Sequence, residues 1–413
     1  MSIVAIGDIG VLDGMMHIGD EAMFEAFLDA ARARGIRDVV AISANPAEST
    51  ARYGISAIGR IGFTGTRAQM SERLAAVIAA AGSRGSADGE QSVLTPDDPA
   101  LAVITAIAAS DLVVVTGAGN IASNWPLHIF ERAAIAEIAR LADVPFVVSG
   151  QTIGPSLNPD DAALGRQLLG SARLVGLRES ASFELVRGLD SGQDTGHDVG
   201  HDAWHAAIEQ TVDDASFLDI DSAVVPSRST CLVSFSTHVG DRDRDAFQDA
   251  AALLLDDMAA LGLEIVFHAH FGPLAGEPTR GDVVMHEAVA SRMKAPSRTE
   301  PTIDPRTSAS LARGAALVVT SRYHPAVFAV GAGVPTIGIA VDEYTNVKLT
   351  GALGNLGQDG VLTADELLEG EGAAMLSRVW ADREPTRTRG LSLATERRRD
   401  SERWWDRVFG SAR

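Results

Sequence analysis

The sequence LVVTSRYHPAVFAVGAGVPTIGIAV, residues 317–341, has the pattern of a strand, a helix and a second strand. Leu317–Ser321 and Pro335–Val341 are short apolar runs with many β-branched residues, which is typical of strands buried in a parallel sheet. The run Ala326–Ala332 between them has a helical composition, and Pro325 suits the first position of a helix. The segment therefore predicts one βαβ unit.

The same alternation recurs along most of the chain. In the first half, strands are predicted at Ile3–Gly7, Asp38–Ser43, Asp111–Thr116, Pro145–Ser149 and Leu174–Leu177, with helices at Asp20–Arg34, Pro126–Ala142 and Pro159–Ser171. In the second half, further strands are predicted at Cys231–Thr237 and Glu264–Phe271. This order predicts an α/β protein with two Rossmann-like, doubly wound domains facing a cleft.

The weakening of the pattern after residue 202 predicts where the domains separate. We expect an N-terminal Rossmann-like domain at 1–205, a linker at 206–229, a C-terminal Rossmann-like domain at 230–390 and a C-terminal helix at 391–413. That helix carries Trp404, Trp405 and Phe409, which we expect to pack on a domain, a membrane-surface helix being the alternative. Residues 81–100, rich in Gly, Ser and Asp, are predicted to form a loop.

Composition excludes several classes of protein. A chain of 413 residues that is 46% hydrophobic and 22% charged is typical of a soluble globular protein. Its net charge of 35 − 55 = −20 argues against general nucleic-acid binding. The single cysteine, Cys231, excludes an intramolecular disulfide and a thiolate zinc cluster. With no basic leader and no long apolar run, we expect a cytoplasmic protein without a membrane span.

The turn after Leu317–Ser321 has the composition of an anion site. The residue before a proline is disfavoured in the helical region, so His324, which precedes Pro325, is expected to be extended. Arg322 and His324 then share one face, and both stand where a helix begins. Lys348, one of only two lysines in the chain, follows the next strand and is expected at the same edge of the sheet. The alternative is that Arg322 forms a structural ion pair and His324 is a core histidine.

Two turns of the first half carry similar signals. Arg178 stands where a strand meets a helix, although Glu179 beside it offers a simple salt bridge. Gly19 and Asp20 precede the first long helix, where a glycine permits close backbone approach and an aspartate can cap.

The turn Thr116–Ala122 formally matches the dinucleotide pattern G-x-G-x-x-A through Gly117, Gly119 and Asn120. The end of the next strand reads Ser149-Gly150-Gln151, with no acidic residue for a ribose hydroxyl, so nicotinamide binding is a minor alternative.

Two histidine groups also have spacings that metal sites use. They are His197, His201 and His205 in one group, and His268 with His270 in the other. Neither group has an evident set of further ligands, so metal binding is a minor alternative for both.

Taken together, these turns resemble motifs of the polysaccharide pyruvyl transferase family, in the correct order. The corresponding segments are His17–Ala22, Gly117–Gly119, Gly150–Pro155, Leu177–Ser182, Asp202–Ala203, Ser321–His324 and Tyr344–Lys348. Three departures stand out: His17 replaces the usual Asn, Ala118 interrupts a triple glycine, and Tyr344–Lys348 has one extra residue.

The resemblance implies a fold like that of GT-B glycosyltransferases and the use of phosphoenolpyruvate to form a pyruvate ketal on two sugar hydroxyls. Arg178, His324 and Lys348 match family positions, and Arg322 joins them on local geometry. We expect His324 to be the general acid or base, with Arg178, Arg322 and Lys348 binding the donor across the cleft.

The expected lining of that cleft comprises Gly19, Asp20, Gly117, Gly119, Asn120, Gln151 and Asp202. The expected partners are phosphoenolpyruvate, as co-substrate, and a saccharide acceptor. No cofactor or metal is expected, because cationic side chains can neutralise the leaving phosphate.

Two alternatives remain at this stage, a nucleotide-sugar-dependent glycosyltransferase and a non-catalytic sugar- or anion-binding protein. The acceptor sugar, its attachment to a lipid and the oligomeric state are left open.

Overall fold

The structure is a computed structural model and describes residues 1–83, 94–190, 206–220, 229–274 and 279–413. The chain divides into two compact units. Unit 1 comprises Met1–Gly10, Met23–Asp214 and Ser401–Arg413, and unit 2 comprises Val11–Ala22 and Ala215–Asp400. Each unit thus combines stretches that are distant in sequence, whereas each domain expected from the sequence was one continuous stretch.

The strands of the described residues follow one another along the chain. They are β1 Ser2–Ile6, β2 Met15–His17, β3 Asp38–Ser43, β4 Ser56–Gly59, β5 Leu112–Val115, β6 Ala118–Ile121, β7 Phe146–Ile153, β8 Leu174–Leu177, β9 Ala207–Gln210, β10 Thr230–Ser234, β11 Glu264–His268, β12 Phe271–Pro273, β13 Ser297–Glu300, β14 Leu317–Thr320, β15 Thr336–Ala340 and β16 Val361–Thr363.

The helices are interspersed with these strands, as βαβ units require. They are α1 Ile18–Ala33, α2 Pro46–Tyr53, α3 Arg67–Gly82, α4 Pro99–Ala108, α5 Pro126–Leu141, α6 Pro159–Gly170, α7 Ser180–Asp190, α8 Arg244–Ala260, α9 Asp282–Ala290, α10 Pro305–Gly314, α11 Tyr323–Val330, α12 Glu343–Gly354, α13 Ala364–Leu368, α14 Gly372–Ala381 and α15 Arg383–Gly410, with a 3₁₀ helix at Asp214–Phe217.

Unit 1 is built on a parallel sheet with the strand order β4-β3-β1-β5-β7-β8-β9, and β6 also pairs with β7. The central strands β5 and β7 are fully buried because helices cover both faces, which explains the unbroken apolar run Leu112–Val115 of β5. The direction of winding reverses between β1 and β5, and ligands of doubly wound sheets bind beyond the carboxyl ends of strands at such a point.

Unit 2 contains a second parallel sheet, in the order β13-β11-β10-β14-β15-β16. Its reversal lies between β10 and β14, so the turn after β14 stands at the corresponding position. The strand predicted at Glu264–Phe271 ends at His268, and Phe271–Pro273 forms an antiparallel ribbon with β2 instead. This ribbon attaches the segment Val11–Ala22 to unit 2.

The C-terminal helix packs its aromatic face on unit 1, as predicted. Trp404, Trp405 and Phe409 are buried in a core cluster. The Trp404 indole donates a hydrogen bond to Ser149 at 2.9 Å, and a Cβ on Gly176 of β8 would lie 2.6 Å from its ring. No helix among the described residues is long and apolar enough to cross a bilayer.

Candidate active site

Helix α11 begins directly after strand β14, at the carboxyl edge of the unit 2 sheet. Arg322 is its N-cap, with extended backbone angles, and His324 lies in its first turn. The expectations that His324 is extended and that the helix starts at Pro325 were wrong. Proline is tolerated anywhere in the first turn of a helix, because the N–H that it lacks would have no helical partner there. α11 can therefore begin at Tyr323, two residues before Pro325. The first turn of α11 therefore positions the His324 imidazole.

The Arg322 guanidinium is oriented by a buried carboxylate. Its Nε donates to both carboxylate oxygens of Asp282, at 3.0 and 3.1 Å, and Nη2 donates to Asp282 as well. Asp282 is fully buried and also accepts a hydrogen bond from the backbone N–H of Phe271 at 2.8 Å. The ion pair considered in the sequence analysis is thus present, and 27% of the Arg322 side chain remains exposed to an approaching anion.

The first turn of α1 closes tightly on His324. The helix begins at Ile18, so the expectation that Gly19 and Asp20 precede it, with Asp20 as a cap, was wrong: both lie in its first turn. A Cβ placed on Gly19 would lie 1.7 Å from His324 Nδ1, so only glycine fits this position. The Ile18 N–H donates to the carbonyl of His270 at 3.0 Å, and the His17 ring stacks on Phe271 with centroids 4.0 Å apart. The early turn, residues 17–22, and the start of α11 are about 300 residues apart in sequence. Through these contacts they form one local structure inside unit 2.

Replacing Gly19 by alanine is expected to displace the His324 ring, because the added methyl group and the imidazole cannot both occupy the site. We expect a loss of stability of about 1–3 kcal/mol from overpacking, measured by urea unfolding, together with reduced turnover. Gly354→Ala is the control, since a Cβ at Gly354 meets no atom within 4 Å. Wild-type behaviour of Gly19→Ala would contradict this close approach.

Lys348 reaches the same helix start from α12. Its Nζ lies 4.9 Å from the centroid of the Tyr323 ring and 4.6 Å from that of Tyr344, and it donates to the Tyr344 hydroxyl at 3.3 Å. The Tyr323 ring in turn lies edge-on to His324, with centroids 5.1 Å apart. Unit 2 thus brings together three of the predicted residues, Arg322, His324 and Lys348, with Gly19.

Three further histidines, His268, His270 and His286, lie behind this edge. His268 and His286 are fully buried, and burial lowers the pKa of His268 to about 4 and that of His286 to about 3. Among the residues that the structure describes, no group of three His, Cys, Asp or Glu side chains could hold a metal ion. Asp202 and the histidines at 197, 201 and 205 lie outside the described residues.

Arg178 occupies a different environment, in the interior of unit 1. Its guanidinium pairs with Asp213 at 2.5 Å and with Glu179 at 3.0 Å, and Nε also donates to Thr152 at 2.7 Å. All three ionised side chains are 1–2% exposed. Near it, Gln151 joins two strands by donating to the carbonyl of Thr116 at 2.5 Å. The salt bridge to Glu179 foreseen from the sequence is thus one part of a larger buried network.

Asp214 is not among the site residues predicted from the sequence. Its carboxylate accepts from the Gly117 N–H, just beyond the end of β5, and from the hydroxyl of Ser149 within β7, each at 2.9 Å. A Cβ on Gly150 would lie 2.7 Å from this carboxylate, so this glycine makes room for it. The available signal was the pair Asp213-Asp214 shortly after strand β9.

Burial raises the pKa of Asp214 to about 7, and repulsion from the neighbouring Asp213 is the second cause. An aspartate in an unfolded chain titrates near pH 4, so between about pH 4 and 7 the folded protein retains a proton that the unfolded chain has lost. Stability contributed by this proton is complete below about pH 4 and is lost as the pH rises towards 7, at up to about 1.4 kcal/mol per pH unit.

We expect Asp214→Asn to lack this loss of stability. The free energy of unfolding should be measured for both proteins from pH 4.5 to 8. The difference between wild type and variant should change steadily with pH below pH 7 and stay constant above it. Parallel curves over the whole range would contradict a protonated Asp214.

The remaining first-half candidates belong to the turn Thr116–Ala122. Asn120 donates a hydrogen bond to Asp8, which also pairs with the fully buried Arg132 at 2.8 Å. Burial opposes ionisation of Asp8, but Arg132 and the neighbouring His128 hold its pKa well below the usual value. Gly119 lies in strand β6, and the next helix starts only at residue 126. The glycines therefore do not lie at the start of a helix, where a dinucleotide fingerprint requires them.

The comparisons with known proteins agree with this picture. The sequence profile of the family described as polysaccharide pyruvyl transferase matches residues 17–343. The chain belongs to this family. The match includes Gly19, Arg178, Arg322 and His324 and ends five residues before Lys348. No curated protein sequence matches the chain.

Solved structures similar to this pyruvyl transferase family member show its fold. They include TcCGT1 in complex with UDP (9% identity, 99% of each chain, TM-score 0.56), UGT2 of Phytolacca americana complexed with UDP-2fluoro-glucose and pterostilbene (14%, 99% of each chain, TM-score 0.53) and a putative UDP-N-acetylglucosamine 2-epimerase from Listeria monocytogenes (11%, 95% of this chain and 90% of that one, TM-score 0.56). At these identities the likeness concerns the fold alone. The predicted α/β class with two Rossmann-like, GT-B-type domains is confirmed.

Proposed function

We propose that this protein transfers the pyruvyl group of phosphoenolpyruvate to two hydroxyls of a saccharide and forms a ketal. The observation that carries the proposal is the start of α11, where Arg322, His324 and Lys348 come together at the carboxyl edge of the unit 2 sheet. A helix N-terminus, a guanidinium and an ammonium group are suited to a ligand with a phosphate and a carboxylate. Family membership supplies the pyruvyl group and the saccharide.

The start of α11 must attract an anion to a chain whose overall charge repels it. A protein with a net charge of −20 repels phosphoenolpyruvate unless a local site attracts it. Arg322 is fixed by the buried Asp282, so its exposed part is pre-oriented before an anion arrives. Arg178 of unit 1 remains a predicted donor-binding residue. The proposal includes no cofactor, since the cationic side chains provide the charge that the leaving phosphate needs.

In the proposed reaction His324 acts as general acid and base. It gives a proton to the methylene carbon of phosphoenolpyruvate, so that the neighbouring carbon becomes electrophilic, and the first sugar hydroxyl forms a C–O bond there while releasing its proton. The C–O bond to phosphate then breaks, with the electron pair leaving on inorganic phosphate. The second hydroxyl attacks the same carbon and gives its proton to the departing phosphate, which yields the ketal and one phosphate.

A thermal-shift titration tests donor binding. Phosphoenolpyruvate at one hundred times its dissociation constant stabilises a folded protein by about 2.7 kcal/mol if it does not bind the unfolded chain. We expect this shift in the wild type and in Arg378→Ala, whose side chain pairs with Asp359 at an exposed position. We expect its loss in Arg322→Ala, with each shift measured from the variant's own melting temperature.

Loss of Arg322 leaves Asp282 buried without its partner, so Arg322→Lys is the second variant. Lysine retains the charge but not the planar fork, and we expect a reduced shift. A shift with UDP and none with phosphoenolpyruvate would overturn the proposal in favour of a nucleotide-sugar glycosyltransferase. No thermal shift with either ligand would favour a non-catalytic protein.

A further inference from the structure

His270 stands directly behind the start of α11. It follows strand β11, and its ring lies 5.9 Å from the centroid of Phe328, a residue of α11. The His324 ring lies 6.0 Å from the same Phe328 centroid, and the backbone carbonyl of His270 accepts the N–H of Ile18. His270 is therefore part of the structure that joins the early turn to His324.

The polar atoms of the His270 ring are unusual. The side chain is 4% exposed, and within the described chain neither Nδ1 nor Nε2 has a hydrogen-bond partner. The other histidines behind the edge differ: His268 Nε2 lies 2.9 Å from the Ser308 hydroxyl, and His286 Nε2 accepts the Phe235 N–H at 2.9 Å. A buried polar ring without partners costs free energy that a phenylalanine would not cost.

The charges around His270 determine what it can bind. Burial lowers its pKa well below the usual value, and the nearby His268, His324 and Arg322 lower it further. The ring is therefore neutral near pH 7, with one N–H donor and one acceptor nitrogen. A fully ionised phosphate or carboxylate can only accept, so it can bond the N–H but not the acceptor nitrogen. A hydroxyl both donates and accepts.

We propose that His270 binds a hydroxyl of the saccharide acceptor beside His324. This inference rests on the proposed function and deepens it, because it assigns an acceptor contact within the same site. His270 is nearly enclosed, so a hydroxyl reaches it only after a neighbouring side chain has shifted. One of the two unpaired nitrogens gains a partner when that happens, and the hydroxyl is held next to the residue that takes its proton.

Two substitutions separate this role from a structural one. His270→Phe removes both polar atoms, and we expect a melting temperature equal to or above that of the wild type and an unchanged thermal shift with phosphoenolpyruvate. We expect the KM for the acceptor to rise at least tenfold. His270→Gln, whose amide donates and accepts, is expected to recover part of this loss. His286→Phe is the matched control: it should lower the melting temperature and leave the acceptor KM unchanged.

The acceptor assay measures phosphate release from phosphoenolpyruvate with methyl glucoside, methyl galactoside and methyl mannoside, each of which has free 4- and 6-hydroxyls. A wild-type acceptor KM in His270→Phe would overturn the inference and leave the proposed function standing. So would a fall in melting temperature as large as that of His286→Phe, because it would mean that the ring has structural partners. Absence of a phosphoenolpyruvate shift in the wild type would instead overturn the proposed function, and release with none of the three glycosides would remove the acceptor on which the inference depends.

Discussion

His324→Ala is expected to lower turnover by about 10²- to 10⁴-fold, the usual contribution of a general acid or base. The imidazole is held between Gly19, Tyr323 and Phe328, so alanine removes the proton-transferring group and leaves the helix start in place. Because Arg322 and Lys348 are unchanged, the thermal shift with phosphoenolpyruvate should persist. Phosphate release in the presence of acceptor measures the turnover.

The control for this variant is His238→Ala, which removes a histidine that is 59% exposed. It should retain wild-type turnover. Near-normal turnover of a correctly folded His324→Ala protein would show that another group carries the proton. A loss of the phosphoenolpyruvate shift in His324→Ala would instead assign His324 to donor binding.

Arg178→Met is expected to destabilise unit 1 by about 3–5 kcal/mol, the usual cost of removing one partner of a buried ion pair. Asp213 and Glu179 would keep their burial and lose their shared cation. Methionine matches the length of the arginine stem, so the loss measures charge and hydrogen bonding more than packing. Hydrogen exchange of the β7 and β8 amides reports the stability of this part of the chain.

Arg140→Ala is the matched control, because Arg140 pairs with Glu137 on the surface of the same unit and is 57% exposed. Exposed pairs contribute roughly 0–1 kcal/mol, so this variant should be close to the wild type. An equally small effect of Arg178→Met would show that the buried network does not stabilise the unit. Donor binding by Arg178 is tested separately, by the phosphoenolpyruvate shift of a folded Arg178→Lys variant.

Most strands and helices could be predicted because their signals are local. Asp38–Ser43 and Leu174–Leu177 have the predicted bounds, and α5 and α6 each begin at the predicted proline. The start of α11 was misplaced because a pre-proline preference is a weak bias, whereas the first turn of a helix tolerates proline. The residues after His268 were misassigned because their pairing partner is β2, which is distant in sequence.

The sequence by itself determined the parallel α/β class, the order of elements and the arginine and histidine at the start of α11, since apolar periodicity and strand-to-helix turns depend on neighbouring residues. Only the tertiary structure decided what those side chains meet. Arg322 is fixed by Asp282, 40 residues away. His324 is closed in by Gly19, and Asp214 is buried beneath Gly117 and Gly150. These contacts join residues that are distant in sequence. They depend on how the backbone folds around each sheet, so no local sequence pattern predicts them.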